Sequence, residues 1–448
     1  MPRNEIIIIG AGLAGLSAAC HLVTKGARVT ALERRPIPGG RVWSLRDETM
    51  GDDADNAPHV FTGACAALIG FLKKVNAWPN ARLARRGDYL FVDERGGRHR
   101  FRAAGLPATF QYLPALLRFT ILSFRERLGI LRAMGALRRM GPDDFLRLDG
   151  MTLEAWLRNH NQTDETIRNF WNVFCIATMN ASATRASAGL ALRLLREAFF
   201  TSREAANLGW AVTGLTAFLA PAETFLRERG GNLRLRTAAS GILVENRRAA
   251  GVRTESGEIL RADTIILAVP PHDLPALLPE HLREDAFFTR FRQFAYSPII
   301  GIHLWYDREF FDFDAAACLG GDLQWIFVKS RAPCAGAVAH ISLVLSAADE
   351  WLARADEEII RRLTDDIGRR FPESRGAKLL HTRIIREPRA TFLPAPGTGI
   401  LRPSAETPVS NLFIAGAWTD TGWPATMEGA VRSGERAAEM ALKSSGIM

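Results

Sequence analysis

The segment IIIIGAGLAGLSAACHLV, residues 6–23, constrains the fold more than any other part of the chain. It contains no lysine, arginine, aspartate or glutamate, and its length is close to that of a membrane-spanning helix. Its residue order argues against a span, because four β-branched isoleucines favour a strand and glycines weaken a helix. The same features argue against a signal peptide, although Arg3 precedes them. We therefore expect a strand and turn of a globular protein, with no transmembrane helix and no secretion.

The glycines of this segment form the pattern GxGxxG between the strand and a helical pattern. In such a turn the first glycine allows a sharp bend, the second lets a pyrophosphate approach the backbone, and the third lets helix and strand pack closely. The helix N-terminus then directs free N–H groups at the phosphates. The predicted phosphate-binding turn comprises Gly10, Ala11, Gly12, Leu13, Ala14 and Gly15.

A second strand, ARVTALE, ends at Glu33, about twenty residues beyond the glycines, where a carboxylate binds ribose hydroxyls. A glutamate there repels a 2′-phosphate, which argues against NADP. Two further segments favour FAD over NAD: a glycine-arginine turn that follows this strand, and a C-terminal strand, glycine turn and helix start. Such a helix start directs N–H groups at the flavin edge that becomes negative on reduction. The predicted contacts of these segments are Glu33, Arg34, Gly40, Arg41, Gly416, Ala417, Thr426 and Met427.

Composition narrows the classes of partner. The chain has 448 residues and a formal net charge of +9, so an anionic partner must be considered. Its five cysteines form no CxxC or other ligand-like spacing, which predicts reduced thiols and no metal site. No nucleic-acid recognition motif is present, and the basic residues alternate with aliphatic rather than aromatic residues.

The chain resembles the FAD-dependent amine oxidases and phytoene desaturases, and within that group the hydroxysqualene dehydroxylases of hopanoid synthesis. The resemblance rests on the N-terminal pattern through Arg41 and on residues 53–72, 170–200 and 415–434. It implies an enzyme that replaces the hydroxyl of hydroxysqualene, a lipophilic polyprenoid, with a hydride from reduced FAD. Two alternatives stay open: a carotenoid or polyprenoid desaturase, which moves hydride the other way, and a catalytically silent protein that binds flavin and lipid.

Two positions depart from the family pattern. Ala57-Pro58 stands where the family has Gly-Gln, and Ala417 stands where the family has an acid that contacts FAD. The loss of that contact predicts weaker FAD binding, by about 1–3 kcal/mol, unless Asp420 or a water substitutes.

Alternating strands and helices predict an α/β fold with a discontinuous Rossmann-type FAD-binding domain made of residues 1–95, 205–270 and 400–448. Residues 96–204 are expected to form a helical substrate region, and residues 271–399 a mixed α+β substrate domain.

Within the helical region, residues 110–140 combine leucines with arginines. A single helix there would place Leu113, Leu116, Leu117, Thr120 and Phe124 on one face. Six arginines accompany one acid, Glu126, and suit a helix that lies on an anionic membrane. An amphipathic helix packed on the core is the alternative. With the lipid substrate that the resemblance implies, we expect a cytoplasmic protein, peripheral on the inner face of a bacterial membrane.

The resemblance also suggests catalytic residues. His59 lies in the loop that borders the flavin in this family and can donate a proton near neutral pH, or it is a buried structural histidine. Asn180 either binds the substrate hydroxyl or caps a turn. Asp420 is a further candidate acid, and Glu428 another. The aromatic residues considered for stabilising a substrate cation are Trp171, Phe174, Trp418 and Trp423.

Overall fold

A five-stranded parallel sheet forms the centre of the protein. The computed structural model describes residues 5–84, 87–330, 336 and 339–446. The sheet draws its strands from distant parts of the chain, in the order Asn232–Arg234, Arg28–Leu32, Glu5–Ile9, Thr264–Leu267 and Leu412–Ile414. Helices Leu13–Thr24, Leu215–Glu228 and Met427–Ser445 accompany it. The predicted α/β fold is confirmed.

The first and last of these helices pack closely on one another. A Cβ at Gly434 would lie 2.1 Å from the carbonyl oxygen of Ala14, so the two backbones approach to a distance that only glycine allows. A small antiparallel sheet adjoins this layer, with strands Ala239–Glu245, Arg248–Thr254 and Ile259–Arg261.

A seven-stranded mixed sheet forms the second layer. Its order is Leu379–Phe392, Tyr296–Tyr306, Ala339–Ser346, Trp325–Ser330, Ala315–Cys318, Asp88–Val92 and Arg98–Arg102. Helix Asp356–Arg370 packs on it through Ile359, Leu363 and Ile367. The strand Asp88–Val92, which sequence places in the FAD-binding part, thus pairs within this other sheet.

The helical region contains an aromatic core. Its helices are Leu113–Leu117, Phe124–Arg139, Pro142–Arg147, Leu153–Asn159, Asp164–Thr166, Asn172–Met179 and Ala188–Phe200, with a π-helical turn at Ile167–Trp171. The single helix predicted across residues 110–140 is wrong. Ser123 begins a new helix, because it exchanges hydrogen bonds with Glu126 in a capping box.

Shorter elements connect the layers. The strands are Ser44–Asp47, Asp52–Asp55, Val60–Thr62, Ala81–Leu83 and Leu208–Ala211; the helices are Ala66–Lys74, Leu274–Leu277, Glu280–Arg283, Ala286–Thr289 and Thr398–Leu401. Four cysteines, Cys20, Cys65, Cys175 and Cys318, are buried free thiols, and burial raises their pKa to about 12. Cys334 lies outside the described residues. No helix in the described part of the chain combines the length and apolarity needed to cross a bilayer.

Candidate active site

The N-terminal glycine turn has little room for side chains. A Cβ at Gly10 would lie 2.6 Å from the carbonyl oxygen of Ala268, and one at Gly15 only 1.9 Å from that of Gly10. Gly12 caps the helix that starts at Leu13, and a Cβ there would have no protein atom closer than 3.6 Å. The first and third glycines are therefore needed for the protein's own packing, whereas the second leaves space beside the helix N-terminus.

Glu33 holds the shape of this turn. It is buried, and its carboxylate accepts hydrogen bonds from the N–H groups of Ala11, at 2.9 Å, and Arg35, at 3.0 Å. Each carboxylate oxygen can accept further hydrogen bonds, as a ribose contact requires. Arg34, in contrast, is largely exposed and pairs with Asp273 at 3.4 Å.

The second glycine turn lies directly against the first. The N–H of Gly39 donates to the Ala11 carbonyl at 2.8 Å, and a Cβ at Gly40 would lie 2.9 Å from the Gly12 Cα. Arg41 follows; its guanidinium donates to the Ala390 carbonyl at 2.9 Å, and its own carbonyl accepts from the Asn56 amide at 2.8 Å.

The C-terminal segment returns to the same end of the sheet. The N–H of Gly416 donates to the Ser433 hydroxyl at 2.9 Å, and Ala417 is buried beside it. Thr426 caps the final helix, because its hydroxyl accepts from the Gly429 N–H, and Met427 is the first helical residue. The turn and the helix start predicted from sequence thus lie at the end of a strand of the parallel sheet.

These residues fit FAD. The two glycine turns lie against each other and leave open space at Gly12, and Glu33 accepts from the Ala11 N–H of the first turn. Among the described residues, the Asn56 side-chain oxygen is buried without a hydrogen-bond partner next to Arg41, which leaves an acceptor for a bound group.

A cavity of about 330 Å³ opens beside the loop that follows Asp55. Polar and charged side chains contribute much of its wall, together with two aromatic rings; these residues are His59, Arg82, Asp314, Lys329, Trp210 and Phe327. Arg82 lies 3.8 Å from Asp314 and stacks over the Trp210 ring. The cavity presents both hydrogen-bond donors and acceptors.

A second cavity, of about 190 Å³, lies within the helical region. Its wall is mainly aromatic and aliphatic, and includes Phe101, Tyr112, Leu116, Phe170, Phe199 and Phe200. Phe110 and Arg138, both exposed, also line it, so this cavity adjoins the protein surface.

Comparison with known proteins agrees with this geometry. The model of the flavin-containing amine oxidoreductases matches residues 13–442. The chain belongs to this family. Its cofactor is FAD, and it is a FAD-dependent oxidoreductase.

Two curated relatives span nearly the whole chain. The chain is 29% identical to the hydroxysqualene dehydroxylase of Zymomonas mobilis, over 98% of this chain and 99% of that protein. It is 26% identical to the 15-cis-phytoene desaturase of Synechococcus elongatus, over 97% and 95% of the two chains.

Solved structures share the fold. An oxidoreductase from Methanosarcina mazei has a TM-score of 0.76 at 21% identity, over 96% of this chain and 98% of that one. Cyclohexylamine oxidase from Brevibacterium oxydans has a TM-score of 0.72 at 20% identity, over 99% of both chains.

The structure of this flavoprotein favours a different role for His59 than the predicted proton donor. Its Nδ1 lies 2.9 Å from the Ala57 carbonyl, which only accepts, so that nitrogen carries the proton. Burial lowers the pKa of His59, and a neutral ring then has an acceptor at Nε2. The loop contacts Arg41 through Asn56, whose amide donates to the Arg41 carbonyl.

The two other predicted catalytic residues do not meet His59 at the cavity. Both amide protons of Asn180 are donated, one to the Ser297 carbonyl and one to Thr391, and its oxygen accepts from the Ala347 N–H. We therefore assign Asn180 the structural alternative, a left-handed residue that ends helix Asn172–Met179. Asp420 is exposed and accepts from the Gly422 N–H.

Glu428 and the predicted aromatic residues are buried away from both cavities. The Glu428 carboxylate is fully buried and accepts from the N–H groups of Ala67 and Leu68 at the start of helix Ala66–Lys74. The four aromatic side chains named from sequence, Trp171, Phe174, Trp418 and Trp423, are buried and line neither described cavity. Trp210 and Phe327 contribute the rings that line the polar cavity. Neither residue belongs to a motif that would identify it from sequence.

A buried chain of hydrogen bonds supports the wall behind the cavity. His303 Nε2 lies 2.7 Å from the Asp55 carbonyl, His303 Nδ1 lies 2.8 Å from His340 Nε2, and His340 Nδ1 lies 2.7 Å from the Asp52 carboxylate. Burial lowers the pKa of His303 to about 3, so its ring is neutral and accepts from His340. Burial opposes ionisation of Asp52, but hydrogen bonds led by that from His340 lower its pKa to about 2. His340 thus links the neutral His303 ring to the Asp52 carboxylate.

These buried hydrogen bonds predict that the folded protein loses stability at pH values above those at which carboxylates usually titrate. The unfolded chain protonates His303 near pH 6.5 and the folded chain only near pH 3, so stability falls as pH decreases through this window. Between pH 7 and pH 5 this one residue should remove about 2 kcal/mol. His303→Gln keeps a donor for the Asp55 carbonyl without the titration, and should reduce the loss by that amount in urea unfolding at pH 7, 6 and 5. Equal losses in the two proteins would contradict the assignment.

Proposed function

We propose that this protein reductively removes the hydroxyl group of an allylic polyprenoid alcohol, with hydroxysqualene as the favoured substrate. The polar cavity beside His59 carries the proposal. A carotenoid precursor is a hydrocarbon and has no group that pairs with Lys329 or His59, whereas an alcohol does. The similarity to a hydroxysqualene dehydroxylase over almost the full length agrees with this choice, although the desaturases are similar at nearly the same level.

The chemistry divides between cofactor and chain. Reduced FAD, when bound, supplies the hydride. The carbon–oxygen bond of the alcohol breaks, the oxygen takes up one proton supplied by solvent and leaves as water, and the carbon gains the hydride. The chain's residues bind the hydroxyl, and the aromatic rings of Trp210 and Phe327 lie in the wall of the cavity that receives the developing allylic cation. The aromatic cavity of the helical region suits part of the hydrocarbon chain.

Product analysis under anaerobic conditions tests the proposal. Purified protein with dithionite-reduced FAD is incubated separately with hydroxysqualene and with phytoene, and products are identified by mass spectrometry. We expect squalene from hydroxysqualene, with oxidation of the flavin, and no conversion without reduced flavin. Desaturation of phytoene by the protein with oxidised FAD, and no squalene, would support the desaturase instead. Bound flavin that reacts with neither substrate would support the silent alternative.

We also propose that the helical region docks on an anionic membrane, as the inner face of a bacterial membrane provides. We define the docking face by its exposed apolar residues, Leu106, Phe110, Leu117 and Phe124, and its exposed arginines, Arg118, Arg125, Arg132, Arg138 and Arg139. Phe124 and Phe110 are 59% and 50% exposed, and Arg127 and Arg138 lie over their rings. Aromatic rings next to arginines suit the boundary between acyl chains and anionic head groups.

Vesicle binding tests the docking face. Phe110→Ser with Phe124→Ser should weaken binding to phosphatidylglycerol-containing vesicles about 100-fold, because each ring contributes at least about 1.5 kcal/mol when buried in lipid. Ile400→Ser is a matched control, since Ile400 is 83% exposed but lies outside the docking face. Binding should be measured by vesicle co-sedimentation, at low and high salt. Equal weakening by the control would argue against a defined face, and binding unchanged by both would argue against docking.

A further inference from the structure

The wall of the polar cavity brings together two side chains with opposite hydrogen-bonding character. We infer that His59 and Lys329 form a hydroxyl-binding subsite, in which His59 Nε2 accepts the hydrogen of a substrate alcohol and the Lys329 ammonium donates to its oxygen. This inference rests on the proposed function and names the residues that would select an alcohol over a hydrocarbon.

A backbone carbonyl determines which nitrogen of His59 is the hydrogen-bond acceptor. Because Nδ1 of His59 donates to the Ala57 carbonyl at 2.9 Å, the other ring nitrogen has the lone pair in the neutral form. Burial lowers the pKa of this ring, and it outweighs the Ala57 carbonyl and the Asp55 and Glu387 carboxylates, which favour protonation. Both conditions keep His59 an acceptor at neutral pH.

A buried ion pair with Asp55 holds the Lys329 ammonium, which is the hydrogen-bond donor of the subsite, in position. Lys329 ends in an ammonium group 2.5 Å from an Asp55 carboxylate oxygen; the Lys329 side chain is 17% exposed and that of Asp55 only 1%. The other Asp55 oxygen accepts from the Ser44 hydroxyl at 2.7 Å and the Leu215 N–H at 3.0 Å, which fixes the carboxylate. An ammonium has three N–H donors and no acceptor, so Lys329 complements His59.

This pair should discriminate strongly between ligands. A hydroxyl group has one hydrogen to donate and lone pairs to accept, and it satisfies both side chains at once. A hydrocarbon of the same length displaces water from both side chains. It leaves the His59 acceptor and the Lys329 N–H donors that do not face Asp55 without partners, which is costly for groups out of contact with solvent. The hydrocarbon product of the proposed reaction should therefore bind less tightly than the alcohol.

Equilibrium binding to the flavin-loaded, oxidised protein tests the subsite without turnover. Hydroxysqualene and squalene are titrated separately, and the absorbance of the flavin and the fluorescence of tryptophan are recorded. We expect the wild-type protein to prefer the alcohol at least 10-fold. His59→Phe, which leaves the ion pair in place, should reduce this ratio to about 2 or less without weakening squalene binding.

Lys329 requires a paired substitution, because Lys329→Met alone leaves a buried Asp55 charge without its partner. Lys329→Met with Asp55→Asn removes both charges, and should also reduce the ratio to about 2. Arg82→Met is the matched control, since it removes a cation from the same cavity but from an exposed ion pair, and it should change the ratio less than 2-fold. Flavin content of each purified variant reports folding.

The outcomes distinguish a failure of the proposed dehydroxylation from a failure of the His59–Lys329 subsite. Equal affinities of the wild-type protein for alcohol and hydrocarbon, with no squalene formed in the turnover assay, would overturn the proposed function and the subsite with it. A wild-type protein that forms squalene, and a His59→Phe variant that keeps its alcohol preference, would overturn the subsite alone. Loss of preference in Arg82→Met equal to that in His59→Phe would show that general cavity polarity, and not this pair, selects the alcohol.

Discussion

Replacing Gly15 with alanine should destabilise the protein by about 3 kcal/mol and prevent flavin binding. The new Cβ would lie 1.9 Å from the Gly10 carbonyl oxygen and 3.2 Å from the Ala268 Cβ, so helix Leu13–Thr24 must move away from the parallel sheet. That movement displaces the helix N-terminus that is to meet the pyrophosphate. Urea unfolding of the flavin-free protein measures the first effect, and flavin content after purification the second.

Gly12→Ala is the matched control for this prediction. Gly12 has an ordinary φ of −67°, and a Cβ there would have only a normal contact with Gly40, so stability should change by less than about 1 kcal/mol. Flavin affinity should nevertheless fall at least 10-fold, because the methyl group would occupy the space through which the pyrophosphate approaches. Gly12→Ala protein that binds FAD as tightly as the wild type would contradict the assignment of residues 10–15 as the phosphate-binding turn.

Replacing Arg402 with methionine should cost about 3–5 kcal/mol in stability and weaken FAD binding. One terminal nitrogen of this buried arginine lies within hydrogen-bonding distance of oxygens of Ala417, Thr419, Thr421 and Trp423. It therefore holds the loop between the Gly416 turn and the final helix. Burial lowers the Arg402 pKa to about 10, which still leaves the charge at neutral pH. Without this side chain, buried carbonyl oxygens of the loop lose their donor.

Arg436→Met provides the comparison for Arg402. Arg436 donates to the Asp420 carbonyl of the same loop, but it does so from an exposed position. Its replacement should change stability by less than about 0.5 kcal/mol. Thermal unfolding and flavin titration of both variants distinguish the effect of the buried Arg402 contacts from that of the exposed Arg436 contact. Equal effects of the two substitutions would show that the loop is held by other contacts.

The cofactor turn was largely predictable from sequence because its constraints are local. Gly10, Gly12 and Gly15 follow a strand and precede a helix within a few residues, and each has a geometric requirement that spacing alone reveals. The structure shows the close backbone packing expected at the first and third glycines and the open space expected at the second. His59 was recognised through its loop, but its hydrogen-bonding role depends on the Ala57 carbonyl and on burial, which only the structure provides.

Lys329, Arg82 and Trp210 were not predictable as a group, since they come from three strands far apart in the chain and belong to no motif. Nothing in the sequence marks Lys329 as a binding residue, because its partner Asp55 is identified only in the folded structure. The same reasoning explains why Asn180 and Asp420 were selected: both occur in segments that resemble the family, but one faces backbone groups and the other faces solvent.

The sequence by itself determined the α/β fold, the dinucleotide turn and the family, because glycine spacing, strand-like isoleucines and the order of segments are properties of the chain. Tertiary structure alone decided which side chains line the cavities, that residues 110–140 form two helices, and that Asp52, His340 and His303 share a buried chain. Hydrogen bonding and burial depend on groups that folding brings together from distant positions. Local patterns describe backbone geometry, whereas the chemistry of a cavity is a property of contacts.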